Sequence, residues 1–523
     1  MSDRITSTEQ RQNRRLFFGL ILVICVFTRF FGLGVIPLGL NQDEAFSAFE
    51  ALSLLKSGTD SWGYRYPMYF VSWGSGMNTL YAYLLSGFFL VFGINDWVVR
   101  LPQAVAGVLS CYVFYRLMSF LYGKKVGLVG FFVVTIMPWH IMLSRFGLES
   151  NIAPAFMLLG FYFFLKGVKK GKYLPLSGLF YGMALYGYAV CWVFIGAVVA
   201  INNGYLVWLN VKCRLEKGLY ILAELFVFGL CAVPAFLFLL VNFGVIDEIK
   251  TAFFSVPKMV YWRSGEVGCA DLAVKLGALW RVVVYGDDFL VTNAIKPFGV
   301  FYPISLIFVA IGAGLLVKKA KEDVCAGVFS YNFLILIHLF SGLVYAAMLY
   351  PCINRLNFLW FYFLIIIVLG ISFFRGWMSW GILTVYAVCF FIFMHTYFTK
   401  YNRLAGEWFS PGFKEALDEA RRHQAKWGNR IYIEEMPFSY PKVLFYGKTD
   451  ALEFQKTVVW DTFPNAYLDV VAFSFYRFEN KTDYQNVSLE NIYIVPKERA
   501  YYFWNFDVYR FGRFAVAVPK EGK

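Results

Sequence analysis

Two adjacent carboxylates, Asp43 and Glu44, are the residues of this chain best suited to chemistry. They follow almost directly after the apolar run 16–36, and they open a stretch, 40–56, whose apolar residues recur at helical spacing. A carboxylate at the edge of a membrane is costly to place there and is more often functional than structural. The alternative is a helix cap, because acidic residues at a helix N-terminus accept backbone N–H groups and complement the helix dipole. The stretch alone leaves both interpretations open.

A third carboxylate, Glu149, stands alone in the polar stretch 144–151. It is the only Asp or Glu between Trp97 and Leu215. Isolated carboxylates at a membrane boundary usually line a path or a site, which favours a functional role. The alternative is an ion pair with Arg145, four residues earlier, which is an ordinary arrangement on a helix.

The complementary signal is Arg355, which occurs beside Asn354 in the polar stretch 350–357. No Asp or Glu occurs between Val324 and Gly406, so the anionic partner of this arginine must come from elsewhere in the fold or from a ligand. A guanidinium suits a phosphate well because it offers N–H donors in a fixed fork. Snorkelling of the arginine towards lipid headgroups is the alternative.

Carboxylates and an arginine at one membrane surface indicate a lipid-phosphate substrate. A carboxylate can act there as general base on an acceptor hydroxyl, while a cation holds the phosphate leaving group. His140 precedes the Glu149 stretch and could touch such a site, although one histidine among aromatics is more often hydrogen-bonded inside a bundle. Asp287 and Asp288 resemble a metal or sugar contact, but Gly-Asp-Asp also favours a turn.

The composition indicates that these residues are held by a membrane protein. The chain has 523 residues, of which 59% are hydrophobic and 16% charged, whereas soluble domains carry about a quarter charged residues. The net charge of +14 comes from basic residues in short loops between apolar runs, which is the positive-inside pattern and excludes a nucleic-acid partner. The nine cysteines are scattered and show neither zinc spacing nor a disulfide framework.

The basic residues also set the expected topology. Arginines before residue 16 place the N-terminus in the cytoplasm, and lysines at 124–125 and 166–172 return the chain to that side. Two apolar runs, 77–94 and 101–121, lie between the outer side after residue 36 and the cytoplasmic Lys124, but only an odd number of crossings can join those two sides. We therefore predict that the run 77–94 is an outer helix that does not span the membrane. The other runs give about eleven spans. They are residues 16–36, 101–121, 126–143, 152–165, 174–187, 190–209, 219–241, 298–317, 328–349, 358–374 and 377–398.

The expected architecture is therefore mainly α, with a polytopic membrane domain and a small outer α/β domain. Residues 1–15 form a cytoplasmic tail, residues 16–398 the transmembrane domain, and residues 399–523 the outer domain. The outer loops 37–99, 144–151 and 242–297 are expected to carry the catalytic groups. In the outer domain we predict a helix over 410–427 and strands at 430–433, 467–475, 492–495 and 514–518.

At these residues the chain resembles the GT-C superfamily of membrane glycosyltransferases, and within it the protein O-mannosyltransferase and aminoarabinose-transferase branch. The likeness covers residues 16–241 well and the later spans in outline. Its motifs are Asp43-Glu44 after the first span, Arg100-Leu101-Pro102 at the predicted start of the second, Ser144-Arg145 with Glu149 after the third, and Gly178 with Gly182 in the fifth.

The resemblance implies the GT-C fold, a dolichyl- or undecaprenyl-phosphate sugar donor in the membrane lipid, and inverting transfer on the outer face. The acceptor would be a glycan, a lipid or another protein. The chain itself would be a multi-pass protein of a bacterial plasma membrane. Of the catalytic carboxylates Asp43, Glu44 and Glu149, it implies that Asp43 is the base. Glu149 would lie near the acceptor or a divalent metal ion, and Arg355 would contact the carrier phosphate. Arg145, Asn354 and His140 complete the expected substrate-binding set.

Two other classes compete with this interpretation. A secondary transporter would place its charged site near the bilayer midplane, often between repeated halves, whereas no repeat occurs here and the acidic residues lie at outer ends. A lipid-linked polysaccharide polymerase or ligase would concentrate its charged groups in one large outer loop, without Asp43 and Glu44 directly after the first span.

Overall fold

The computed structural model describes residues 2–213, 217–261, 267–434, 439–461, 468–479 and 482–520. Residues 262–266 of the predicted outer loop 242–297 and residue 467 of a predicted strand lie outside the described residues. The chain divides into two compact units. The helical unit comprises Met1–Leu33, Leu101–Ala235 and Ser264–Thr399, and the sheet unit comprises Gly34–Arg100, Phe236–Arg263 and Lys400–Lys523.

Most of the long described helices coincide with predicted apolar runs, whereas the short helices at 272–280, 406–409, 440–446 and 451–457 were not predicted. In chain order the described helices are α1 (Ser2–Phe30), α2 (Gln42–Ser57), α3 (Leu80–Phe92), α4 (Asp96–Tyr122), α5 (Lys124–Ile136), α6 (Pro138–Leu143), α7 (Glu149–Lys169), α8 (Leu174–Ala184), α9 (Trp192–Cys213), α10 (Gly218–Asn242), α11 (Leu272–Trp280), α12 (Ser305–Cys325), α13 (Tyr331–Ala347), α14 (Trp360–Phe373), α15 (Trp377–Leu404), α16 (Gly406–Phe409), α17 (Phe413–Trp427), α18 (Tyr440–Tyr446) and α19 (Ala451–Thr457).

The strands are short except in the C-terminal region. They are β1 (Tyr69–Phe70), β2 (Met77–Asn78), β3 (Ile249–Lys250), β4 (Ser255–Val256), β5 (Arg430–Glu434), β6 (Val459–Trp460), β7 (Val470–Phe473), β8 (Tyr476–Glu479), β9 (Asn491–Pro496), β10 (Phe506–Phe511) and β11 (Phe514–Pro519). The C-terminal strands form one sheet in the order β10-β11-β9-β5-β8-β7-β6, in which β5 pairs parallel with β8 and β9. Helix α17 buries Ala416, Leu417 and Ala420. The predicted C-terminal combination of helix and sheet is confirmed.

Several helices are long and apolar enough to cross a membrane. Within the described part of the chain, five meet both conditions: α4, α7, α10, α15 and the segment Ala189–Trp208, which includes most of α9. Helices α1 and α12 also coincide with predicted spans but carry more charge, such as Arg29 and Lys318. The helices indicate a membrane protein, while the predicted number of spans stays a prediction.

Helix α3 has the length expected of a non-spanning helix. Its 13 residues extend about 20 Å, less than the roughly 30 Å of a hydrocarbon core. Its Ser86 hydroxyl donates to the carbonyl oxygen of Ala51 on α2 (3.1 Å), and its Tyr81 hydroxyl donates to the carbonyl oxygen of Val99 (2.6 Å). These contacts attach α3 to its own unit.

Prolines explain two differences between the predicted and observed helices. The predicted run 126–143 is broken into α5 and α6 because Pro138 lacks the N–H that would continue the first helix. The predicted helix start at Arg100-Leu101-Pro102 is wrong, because α4 begins at Asp96 and Pro102 lies inside it. An acidic residue in the first turn complements the helix dipole, so the start lies one turn earlier than proline alone suggests.

Glycines allow close packing of the membrane helices in the helical unit. A methyl group on Gly178 of α8 would collide with the carbonyl oxygen of Glu224 on α10, and one on Gly182 would collide with Cys231. Small residues at such contacts let helix backbones approach each other where lipid supplies no hydrophobic driving force. The two glycines noted in the sequence therefore mark the packing surface between α8 and α10.

Two buried carboxyl groups, Glu50 and Asp60, lie in the sheet unit. Glu50 of α2 accepts hydrogen bonds from the backbone N–H of Ser61 (3.0 Å) and from its hydroxyl. Asp60 accepts from the backbone N–H groups of Trp62 (3.0 Å) and Tyr64 (2.8 Å). Burial raises the pKa of Asp60 to about 7. Burial, together with the nearby Asp60, raises the pKa of Glu50 well above its usual range.

We expect the free energy of unfolding of this unit to fall as pH rises from about 4 to about 7. The carboxyl groups lose their protons near pH 4 in the unfolded state but retain them to higher pH in the folded state. The free energy of unfolding therefore decreases as pH rises across this window. Glu50→Gln cannot ionise and should reduce the decrease in Tm between about pH 5 and about pH 7.5. Glu415→Gln, at an exposed position of α17, is the control. A pH dependence in Glu50→Gln equal to that of the wild type would contradict this account.

Candidate functional site

The first candidate group lies at the N-terminus of α2, in the sheet unit. Asn41 is the N-cap: its side-chain oxygen accepts from the N–H of Asp43 (3.0 Å), and its own N–H donates to the Glu44 carboxylate (3.0 Å). This reciprocal arrangement is a capping box. Asp43 is half-buried and Glu44 is buried. The helix-cap interpretation is therefore confirmed for Glu44, and Asp43 occupies the same turn with part of its side chain open to solvent.

Glu44 forms a buried ion pair with Arg100. Nε and Nη2 of Arg100 lie 2.7 and 2.9 Å from the two carboxylate oxygens, and both side chains are 0% exposed. The remaining guanidinium donors bind the carbonyl oxygens of Pro37 (2.5 Å) and Gly39 (2.6 Å). The guanidinium also lies 5.4 Å from the ring centroid of Phe409. One arginine thus fixes both Glu44 and the turn that leads into α2.

A buried lysine lies close to the same carboxylates. Lys442, on α18, donates through Nζ to the Ser410 hydroxyl (2.7 Å). Burial lowers its pKa to about 8, while the negative charges of Glu44 and Asp43 act in the opposite direction. Lys442 was missed in the sequence because it stands in an apolar stretch, Pro-Lys-Val-Leu-Phe-Tyr, far along the chain from Asp43.

The second candidate group lies in the helical unit and contains Glu149 and Arg355. Glu149 is the first residue of α7, and Arg355 follows α13, where its Nη1 donates to the Tyr350 carbonyl oxygen (3.3 Å). Both residues are half-buried. Burial raises the pKa of the Tyr188 hydroxyl; the positive charge of Arg355 opposes this, and the negative charge of Glu149 adds to it. The structure therefore brings Glu149 and Arg355 within electrostatic range of Tyr188.

Asparagines connect the start of α7 to the Arg355 segment. Asn357 donates to the Ser150 carbonyl oxygen (3.0 Å) and to Oδ1 of Asn151 (3.1 Å), and it accepts from Trp139 Nε1 (2.9 Å). Asn354 lines a small cavity together with Asn151. The two predicted segments, 144–151 and 350–357, are thus held together by polar side chains that hydrophobic periodicity does not identify.

Asp287 and Asp288 form the predicted turn. Oδ1 of Asp287 accepts the N–H of Phe289, and Oδ1 of Asp288 accepts the N–H of Leu290, both at 3.0 Å. The other oxygen of Asp288 accepts the N–H of Ile353 (2.9 Å). The turn interpretation is confirmed, and Asp288 additionally fixes the segment that carries Arg355.

Arg145 and His140 are buried in the helical unit at 0% exposure. Arg145 donates to the carbonyl oxygens of Thr28 (3.1 Å) and Gly32 (3.2 Å), near the C-terminal end of α1, and to the Tyr397 hydroxyl (3.1 Å). Nδ1 of His140 lies 2.8 Å from Nη2 of Arg29. These contacts stabilise the bundle, as the alternative interpretation of His140 expected. A contact of either residue with substrate stays a prediction.

The predicted metal near Glu149 has no ligand cluster in the described part of the chain. No group of three or more His, Cys, Asp or Glu side chains there could hold a metal ion. Mg²⁺ is usually held by one or two carboxylates together with substrate phosphates, so a divalent metal ion near Glu149 stays a prediction, and no chemical step is assigned to one.

The fold is shared with known membrane transferases. ArnT from Cupriavidus metallidurans, in a structure with undecaprenyl phosphate, aligns with a TM-score of 0.58 and 13% identity over 97% of this chain and 98% of that chain. The oligosaccharyltransferase of Archaeoglobus fulgidus in its apo form aligns with a TM-score of 0.51 and 10% identity over 83% of this chain and 63% of that chain. The predicted resemblance is therefore confirmed at the level of the fold.

Sequence comparison matches shorter stretches. A family model described as dolichyl-phosphate-mannose-protein mannosyltransferase matches residues 78–238, less than half of the chain. The protein YkcB of Bacillus subtilis (strain 168), provisionally described as a mannosyltransferase, is 33% identical over 92 residues. That stretch is 18% of this chain and 13% of YkcB. The chain thus spans well under two thirds of this relative.

The Arg100–Glu44 pair makes a direct prediction about stability. Arg100→Met leaves the Glu44 carboxylate buried without its cation and should lower the free energy of unfolding by about 3–5 kcal/mol. Glu44→Met combined with Arg100→Met removes both charges and should recover much of that loss. Thermal unfolding of the detergent-solubilised protein measures both effects.

The matched control is Arg422→Met, which breaks the pair with Glu419 (2.7 Å) at an arginine side chain that is 73% exposed. That change should cost less than about 1 kcal/mol. Equal destabilisation by Arg100→Met and Arg422→Met would show that the Arg100–Glu44 pair does not hold the start of α2.

Proposed function

We propose that this protein transfers a sugar from a polyprenyl-phosphate donor to an acceptor hydroxyl at the outer face of a bacterial plasma membrane. The shared fold with ArnT, one of whose structures contains undecaprenyl phosphate, supports a lipid-phosphate donor. The descriptions of the family model and of YkcB support a glycosyl transfer. A transporter gains no comparable support.

The observation that carries the proposal is the environment of Asp43. Two neighbouring carboxylates of one helix turn differ sharply: Glu44 is buried and binds Arg100 through both oxygens, whereas Asp43 is half-buried. A general base must be fixed in position and also reach its substrate. Asp43 meets both conditions, because the capping box and the ion pair fix its turn. Glu44 is then a positioning residue.

The reaction follows from these roles. The acceptor O–H donates its proton to Asp43 as its oxygen attacks the anomeric carbon of the donor sugar. The bond from that carbon to the carrier phosphate breaks, and the phosphate leaves with the electron pair. Attack from the face opposite the phosphate inverts the anomeric configuration. A cation near the phosphate stabilises the charge that develops on the leaving group.

Arg355 is the cation that we assign to the carrier phosphate. Its segment is fixed by Asp288 and Asn357, so the guanidinium is presented by a held loop. Glu149, at the first residue of α7, is assigned to the acceptor side. Arg145, Asn354 and His140 keep the substrate-binding roles expected from the sequence, with Arg145 and His140 acting through the bundle contacts described above.

Loss of the base should slow transfer strongly without loss of donor binding. With a panel of polyprenyl-phosphate sugars and the purified protein, Asp43→Asn should lower kcat by about 100-fold or more, the scale of general base catalysis. KM for the donor should change little, because Asp43 acts on the acceptor. Glu407→Gln, which removes an exposed carboxylate of the same unit, is the matched control and should keep wild-type kcat. A kcat of Asp43→Asn close to that of the wild type would remove the assignment.

The topology is part of the proposal. About eleven spans place the N-terminus in the cytoplasm and put the α2 region, the start of α7 and the C-terminal region outside. A cysteine introduced by Lys124→Cys, in a variant without its native cysteines, should resist a membrane-impermeant maleimide added to intact cells. Asn486→Cys should react. Labelling of position 124 from outside would contradict the topology.

A further inference from the structure

We propose that a cleft in the C-terminal part of the sheet unit binds a saccharide. That the saccharide belongs to the acceptor glycan rests on the proposed function. The cleft lies between the segment 482–485 and the turn Lys497–Tyr502 that follows β9, and it is called the tyrosine cleft below. Its volume is about 780 Å³, which lies within the range of small-molecule pockets.

Three tyrosines form an exposed aromatic surface in the tyrosine cleft. The rings of Tyr484 and Tyr502 are stacked, with centroids 4.3 Å apart and planes at 17°. The ring centroid of Tyr501 lies 4.1 Å from that of Tyr502. Tyr501 is 69% exposed and Tyr502 39% exposed. A sugar ring presents a face of C–H groups, which packs on the electron-rich face of an aromatic ring. Its hydroxyls remain at the edge of the ring, where polar groups can reach them.

Tyr484, one ring of the aromatic surface, is fixed before any ligand binds. The Tyr484 hydroxyl donates to Glu434 on β5. Nη1 of Arg499 lies 3.1 Å from the same carboxylate and 3.4 Å from the Tyr484 hydroxyl. The guanidinium carbon lies 5.6 Å from the Tyr484 ring centroid. A ring held in this way loses little conformational entropy on binding.

Polar side chains at the rim of the tyrosine cleft match sugar hydroxyls. Asp483, Gln485 and Glu498 are all exposed. Hydrogen bonds from the Asn486 side chain (2.7 Å) and from the Gln485 N–H (3.1 Å) hold the pKa of Asp483 below its usual value. Asp483 therefore accepts hydrogen bonds at neutral pH, and the amide of Gln485 can both donate and accept.

The charges of the tyrosine cleft disfavour other ligands. Two rim carboxylates repel a phosphate or a nucleic acid, and Arg499 is already paired with Glu434. An aliphatic chain would bury the rim groups without hydrogen-bond partners, which is costly. A lipid surface is the remaining alternative, because exposed aromatics such as Tyr501 and Trp504, which is 77% exposed, are also enriched at membrane interfaces.

The test uses the full-length protein in detergent on an array of neutral oligosaccharides of hexoses and N-acetylhexosamines. We expect wild-type protein to bind at least one class, and Tyr501→Ala and Glu498→Gln to bind it about tenfold more weakly. Both positions are exposed, so neither change threatens folding. Trp504→Ala, which removes an exposed aromatic outside the tyrosine cleft, should bind as the wild type does.

Absence of saccharide binding by the wild type, or equal binding by Tyr501→Ala, would overturn the proposal. Protection of Tyr501 and Tyr502 from hydroxyl radicals in lipid nanodiscs without saccharide would also overturn it in favour of a membrane contact. These results are distinguishable from failure of the proposed function. Saccharide binding without transfer from any polyprenyl-phosphate donor would reject the transferase alone, and transfer without saccharide binding would reject the tyrosine cleft alone.

Discussion

The buried ion pair between Arg100 and Glu44 is the interaction on which the candidate chemistry depends. Two charges removed from water are costly unless every donor and acceptor is satisfied. Here Arg100 also binds the carbonyl oxygens of Pro37 and Gly39, and Glu44 also accepts the N–H of Asn41. One guanidinium therefore fixes both the chain before α2 and the first turn of α2. Asp43 belongs to that turn and is positioned by it.

Neighbouring carboxylates can take different roles when their environments differ, and this is the case for Asp43 and Glu44. Glu44 has both oxygens engaged in a buried pair, so it is suited to positioning. Asp43 is half-buried and so retains the partial exposure that the proposed general base requires. The buried ammonium of Lys442, whose pKa is lowered to about 8, adds a positive charge near both carboxylates. Because this surrounding is poorly solvated, that charge acts on the carboxylates more strongly than it would in water.

The sequence predicted most of the long helices and identified the carboxylates and arginines of the candidate site. It did not predict the contacts that orient these side chains. Apolar runs locate α7, α10 and α15 well, but Glu149, which the sequence placed in an outer loop, is the first residue of α7. Arg100 was noted only as part of a helix start, since its partner Glu44 is 56 residues away and periodicity contains no information on such pairs. Lys442 and the tyrosine cleft were missed for the same reason: each depends on segments distant in sequence. The start of α4 was predicted too late, near Pro102, because a helix can begin with an acidic first turn before a proline.

The central claim is that Asp43 takes the proton of the acceptor hydroxyl, and the most direct test supplies a nucleophile that has no proton to lose. Asp43→Asn is incubated with azide and the polyprenyl-phosphate sugar that the wild type uses, and formation of the glycosyl azide is measured. The account predicts that azide restores turnover to the variant while the natural acceptor does not. If the variant binds the donor normally and azide gives no product, or if the natural acceptor reacts at the wild-type rate, Asp43 is not the base.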